Sequence, residues 1–242
     1  MTQINQEKCI GCKMCMTYCT VDAIHYNDRK CHVDLDECVE CYICLRQKVC
    51  PKNAIEPSPL DSFYKEFKHM MSDPVENHPV TGVTGRGTEE VKTNDVSGRV
   101  RRGQVGICID MGRPGMGVYL HDAEKVAIAL CNAGVELACA DQSPLMGLMP
   151  DITTGKLKDD CLDTRMLSVI VEGHCREEEL NNVMAALQKA EKEIDTVFSL
   201  GLILRVDENG ENTTLRCLDE LGIPQPYRGK VNVGLGLPLI TD

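Results

Sequence analysis

The chain predicts an α+β protein with a folded unit at each end, joined by a long extended linker. Three observations predict it. Eight cysteines of the first fifty residues fall into two matched runs. Between Glu56 and Gln104 the sequence is poor in apolar periodicity and rich in Pro, Gly, Thr and Asn. From Val105 onward, strand-like alternation and helix-like spacing succeed one another in the order βαββαβ. The expected units are therefore 1–56, a linker 57–104, a sandwich 105–206 and an extension 207–242.

The first run is Cys9-x2-Cys12-x2-Cys15-x3-Cys19 and the second Cys38-x2-Cys41-x2-Cys44-x5-Cys50-Pro51. A CxxCxxC triplet turns the backbone so that three thiolates converge on one [4Fe-4S] cubane, and the fourth ligand comes from further along the chain. In a tandem arrangement that ligand belongs to the other run. The spacing thus assigns Cys9, Cys12, Cys15 and Cys50 to one [4Fe-4S] cluster, and Cys38, Cys41, Cys44 and Cys19 to a second. Structural zinc is excluded because it takes four ligands in two pairs, whereas each run offers three and a distant fourth. The runs are copies of each other: Asp22-Ala23-Ile24 after the first repeats as Asn53-Ala54-Ile55 after the second, which predicts a pseudo-twofold pair. Cys31, between the runs, is expected on a surface hairpin as a spare thiol.

Through Ile4 to Glu56 the sequence resembles the bacterial two-[4Fe-4S] ferredoxin family. The resemblance implies two small hairpins with short helices, and one-electron transfer between clusters. Thr20 stands where the family has a proline, and Leu45 to Val49 widen the loop before Cys50.

Composition narrows the setting. No basic-then-apolar leader precedes Cys9, so the fifteen cysteines argue for a reducing cytoplasm, and cluster chemistry for an anaerobe. No segment has the length of a membrane helix. Lys and Arg against Asp and Glu number 7 to 8 in residues 1–56, 7 to 7 in 57–106 and 12 to 22 in 107–242, which places the net charge of −11 in the C-terminal part. Such a surface repels phosphate backbones, so nucleic acid is not an expected partner.

In the linker, Phe63, Phe67, Met70 and Met71 share one face of a short helix, 62–71. That face either covers the N-terminal core or docks on another subunit. The stretch 72–103 is expected to be an arm that orders on assembly.

In the C-terminal unit the expected strands are 105–110, 135–139, 166–172 and 197–206, and the helices 122–133 and 176–194. This order describes a split βαβ sandwich. It is similar to an ACT-type regulatory domain, through Asp110 with Arg113-Pro114-Gly115, Lys125-Val-Ala-Ile-Ala-Leu with Asn132-Ala-Gly-Val135, and Ser168-Val-Ile-Val-Glu-Gly173. The resemblance implies a ligand-binding turn at Asp110, Arg113, Pro114 and Gly115. Gly112, Gly115 and Gly117 are spaced for a sharp turn, not the GxGxxG of dinucleotide folds. Cys108, Cys131 and Cys139 are expected on apolar faces. The uncharged tail 231–239 is expected to pair with a sheet edge or a neighbouring chain, which predicts an oligomer.

No nucleophile with a base, acid/base pair or flavin fingerprint is present. The chain is therefore expected to be no enzyme by itself, but a subunit passing low-potential electrons to or from a catalytic oxidoreductase subunit or another carrier. The alternative is a sensor whose ACT-like domain binds a small metabolite and modulates a redox partner.

Overall fold

The computed structural model describes residues 2–57, 59–85, 98–113, 115–205, 209, 212 and 214–223. Pro114, residues 86–97 of the expected arm and the tail from 224 onward lie outside the described residues.

The N-terminal unit is closed end to start. Strand β1 (Thr2–Ile4), hairpin β2 (Ile24–Asn27) and β3 (Lys30–Val33), helix α1 (Ile43–Arg46) and strand β4 (Ile55–Pro57) follow in order, and β4 returns antiparallel to β1 with Ile4 opposite Ile55. The core is small. Ile4, Ile24, Val49 and Ala54 pack with Cys9, Cys15 and Cys31, while Val21, Ala23 and Val39 form a second nucleus beside Cys38 and Cys41. Cys31 corrects expectation: it lies in the hairpin, but strand alternation turns its side chain inward and leaves it 1 % exposed.

Helix α2 (Phe63–Ser72) starts at Ser62, whose hydroxyl accepts from the Lys65 N–H. Its apolar face does not simply cover the N-terminal core. Phe67 and Met71 belong to the C-terminal core, while Lys68 and His69 touch the N-terminal unit, so the helix bridges the two.

The C-terminal unit follows the expected element order. Strand β5 (Gln104–Met111), the short β6 (Val118–Tyr119), α3 (Leu120–Asn132), β7 (Glu136–Leu137), β8 (Arg165–Met166), β9 (Val169–Arg176), α4 (Leu180–Ala190) and β10 (Phe198–Ile203) run in sequence, with α5 (Leu215–Glu220) after them. Four strands form one antiparallel sheet in the order β10-β5-β9-β7. Val105, Ile107, Ile109 and Met111 alternate into the core against Val126, Leu130, Val183 and Leu187 of α3 and α4. Strand β9 lies later than the expected 166–172, because its eight residues match β5 from Gln104 opposite Arg176 to Met111 opposite Val169. Helix α4 is shorter than the expected 176–194, because Arg176 ends the strand and is held by the Glu179 carboxylate. Cys161 and Cys175 are core residues, whereas Cys139 is exposed and Cys131 only partly covered, against the apolar placement expected of that pair. Among the described residues, no helix is long and apolar enough to cross a membrane.

Candidate metal centre

Each triplet loop needs backbone that ordinary residues avoid. In the first, Gly11 (φ 68°) and Lys13 (φ 65°) are left-handed; in the second, the corresponding Glu40 (φ 57°) and Tyr42 (φ 55°) are too. Asp22 (φ 56°) and Asn53 (φ 48°), which precede the matching Ala-Ile pairs, repeat the pattern. Each non-glycine residue held so costs about 1–2 kcal/mol, so the loops are over-determined by their surroundings. Gly11 has no substitute: an added Cβ would collide with the Arg29 carbonyl oxygen at the hairpin tip. Glu40 is tolerated because its buried carboxylate accepts from the Thr2 N–H at 2.8 Å.

The thiols assemble across the repeat. Cys19, Cys38, Cys41 and Cys44 line one cavity together with Tyr18 and Tyr42. Cys9, Cys15 and Cys50 pack in the other nucleus, where Cys12 is the exposed member of its run. Backbone donors point at sulfur in symmetric fashion: Ala23 N–H donates to Cys19 Sγ at 3.1 Å, and Ala54 N–H to Cys50 Sγ at 3.3 Å. Cys31 N–H donates to Cys9 Sγ at 3.4 Å, and Thr20 Oγ1 lies 3.9 Å from Cys41 Sγ. Burial pushes the Cys38 thiol up to about 12, with the Glu40 carboxylate adding to it. Burial likewise raises Cys44 to about 11, reinforced by Cys41 and Cys19, and Cys15 to about 12, reinforced by Cys31. Burial opposes ionisation of Cys9 as well, but the N–H groups of Cys31 and Gly11 together with Lys30 outweigh it and leave that thiol below its ordinary value. Protonated, crowded thiols release their protons when a metal takes them.

The second thiol group is walled by residues that spacing did not disclose. Lys68 Nζ donates to Cys38 O at 3.0 Å, His69 Nδ1 to Glu40 O at 2.8 Å, and the His69 ring packs against Tyr42 in a tilted arrangement, centroids 4.2 Å apart. Arg46 donates to Cys41 O at 2.5 Å and pairs with the buried Asp73. From the C-terminal unit, Arg165 pairs with Glu37 and reaches Val21 O at 3.3 Å, Tyr119 OH donates to Glu37 Oε1 at 3.0 Å, and Leu167 packs, as Cys38 and Cys41 do, on the Val21, Ala23 and Val39 nucleus.

The expected ligand-binding turn faces this wall. Gly112 (φ 85°), Gly115 (φ 68°) and Gly117 (φ 73°) bend it sharply, and Gly115 abuts the Thr20 carbonyl. Asp110 is buried with Arg113 3.9 Å away, and Pro114 lies outside the described residues. His174 and Cys175 point to opposite faces: Cys175 enters the core, and His174 Nε2 lies 3.6 Å from Glu136.

Residues 2–25 match the 4Fe-4S binding domain family. The chain is 39 % identical over 57 residues to "Ferredoxin 7Fe" of Hydrogenibacillus schlegelii, across 23 % of this chain and 70 % of that one. It is 45 % identical over 49 residues to a ferredoxin of Alicyclobacillus acidocaldarius, across 19 % and 60 %. To Ferredoxin-1 of Caulobacter vibrioides it is 29 % identical over 87 residues, across 35 % and 75 %. No solved structure matches the chain.

Proposed function

Because the chain belongs to the ferredoxin family through its N-terminal unit, we propose that it is an iron-sulfur electron carrier holding two [4Fe-4S] clusters, with electrons passing to or from a catalytic redox partner. One observation supports this reading: Cys19 lines one cavity with Cys38, Cys41 and Cys44, and Cys50 packs, as Cys19 and Cys44 also do, against the nucleus that holds Cys9 and Cys15. The donor set fits the group, since soft thiolates in fours with N–H groups aimed at sulfur are what such clusters take. When bound, each cluster stores and releases one electron. The chain's own residues do the rest. Ala23, Ala54 and Cys31 N–H groups orient the thiolates and stabilise their charge, a recognised lever on potential. Tyr18, Tyr42 and Leu167 exclude water from the second group. In this reading the C-terminal unit, ACT-like in element order, seals that group and fixes docking geometry.

Iron and sulfide analysis of anoxically purified protein tests the proposal. Roughly eight of each per chain is expected from two four-iron clusters. Absence of sulfide, or bound flavin, overturns it.

The sensor reading retains one observation in its favour. A cavity of about 210 Å³ beside β7 is lined by Arg99, Glu136, Gln142, Glu172 and His174, groups able to hold a small zwitterion. Thermal shift against amino acids tests it, since a ligand binding only the folded form raises its stability.

A further inference from the structure

The two thiol groups face different surroundings, and the difference concerns where electrons leave a carrier of the kind just described. The second group is covered by Leu167, Arg165 and α2. The first is open. Cys12 is exposed, and beside its loop stand Ile10, Met14 and Tyr26, which are 59 %, 47 % and 40 % exposed.

The charges around this apolar centre are opposite in sign to the molecule's own. Lys13 Nζ lies 3.9 Å above the Tyr26 ring. Arg29 occupies the hairpin tip against Gly11, and Lys48 and Lys52 flank Cys50. Lys8 is paired with Glu56 at 2.6 Å, and Lys30 is spent on the Gln6 and Cys9 carbonyls. The exposed acids nearest in sequence to these cations are Glu7 and Asp28, whereas the exposed Asp22 precedes Ala23, which donates to Cys19 of the second group. Four exposed cations thus outnumber two exposed anions, on a chain of net charge −11. The acids Asp34, Asp36, Glu37 and Glu40 all belong to the second half of the unit, next to the walled group.

We propose that the face around Cys12 is the electron gate and the docking site for an acidic redox protein. The inference rests on the electron-carrier reading. The apolar centre is the part that loses water on contact, and the cationic rim steers and orients the encounter. The acidity of the remainder turns such a partner away elsewhere, so charge alone selects this orientation. Close approach here brings the partner's cofactor to Cys12, the exposed thiol of the first group.

The test uses the full, anoxically purified chain and a fluorescein-labelled polyglutamate peptide as the acidic surface, with anisotropy as readout. The peptide is expected to bind in low salt and to be released as salt rises. The double variant Lys13→Glu/Lys48→Glu should bind roughly tenfold more weakly, from two reversals of exposed charge. The control Lys156→Glu/Lys158→Glu, which changes net charge equally from exposed positions of the C-terminal unit, should bind as the parent does. A second arm follows oxidation of the dithionite-reduced protein by the anionic tris(oxalato)cobaltate, which should slow roughly tenfold in the first variant alone. Equal loss in both variants or an unchanged oxidation rate overturns the proposal. So does a salt-sensitive dimer in sedimentation that Lys13→Glu/Lys48→Glu dissolves, since the occupant is then a second copy. The two readings fail separately: peptide binding by a chain without sulfide sinks the carrier, and sulfide without peptide binding sinks the docking face.

Discussion

Replacing Arg165 by methionine isolates the seal between the two units. The methionine keeps most of the apolar stem and removes the guanidinium, which is held by the Glu37 carboxylate, by Val21 O at 3.3 Å and by Met116 O at 2.6 Å. A hydrogen bond to a charged group is worth about 1.5–3 kcal/mol. The full sum is not realised: Glu37 is 37 % exposed at its side chain and keeps Tyr119 as a donor, and water can reach Met116 O. Opening of the seal should therefore become easier by about 2 kcal/mol, roughly thirtyfold in the opening equilibrium. The assay is anoxic iron release to a coloured chelator, with magnetic resonance distinguishing the two proposed clusters. The Cys38 group should lose iron about thirtyfold faster, while the Cys9 group keeps the parent rate. Equal release from both groups, or no change in either, refutes the reasoning that the C-terminal unit protects the second thiol group.

Three further outcomes are expected. Cys19→Ser should abolish the signal of the group formed with Cys38 and leave the other, and Cys50→Ser should do the reverse; a variant that removes the signal of its own run refutes the crossed pairing. Gly11→Ala places a Cβ against the Arg29 carbonyl at φ 68°, so iron content should fall by about half, from two clusters to one, with far-ultraviolet circular dichroism of the C-terminal unit retained; full iron content speaks against the tight loop. Burial holds His78 below its ordinary value, so the unfolded chain binds a proton there more readily than the folded one. The stability this contributes is present above the unfolded value of about 6.5 and declines as pH falls through that region. The thermal midpoint of His78→Phe should accordingly fall less between pH 7.5 and 5.5, and parallel curves for parent and variant contradict the assignment.

Local chemistry was legible in the sequence where neighbours in the chain are neighbours in space. Cysteine spacing disclosed the triplets, and alternation in Val105 to Met111 with the stripe Leu180, Val183, Leu187 disclosed the sandwich elements. Long-range choices were not legible. The apolar face of α2 was visible, but nothing in Phe67 or Met71 tells which unit will bury them, and the C-terminal core does. Arg165 and Glu37 are separated by 128 positions and carry no motif. A hairpin position predicts an exposed Cys31; its burial follows from the strand face it occupies, against Cys9. The left-handed Glu40 and Tyr42 had one available signal, since aligning the two runs places them opposite Gly11 and Lys13.

The proposed exchange of closing thiols between the repeats has a consequence for biosynthesis. A nascent chain that has emerged only as far as Val33 carries one complete triplet and Cys19, yet those four sulfurs belong to different cages. The cage of Cys19, Cys38, Cys41 and Cys44 can be finished once Cys44 is available, and that of Cys9, Cys12, Cys15 and Cys50 only with Cys50. Completion of the Cys9 cage and the β1 to β4 closure thus share one moment in the life of the polypeptide, and a truncation between the repeats should yield a chain that scavenges iron poorly instead of half a working protein.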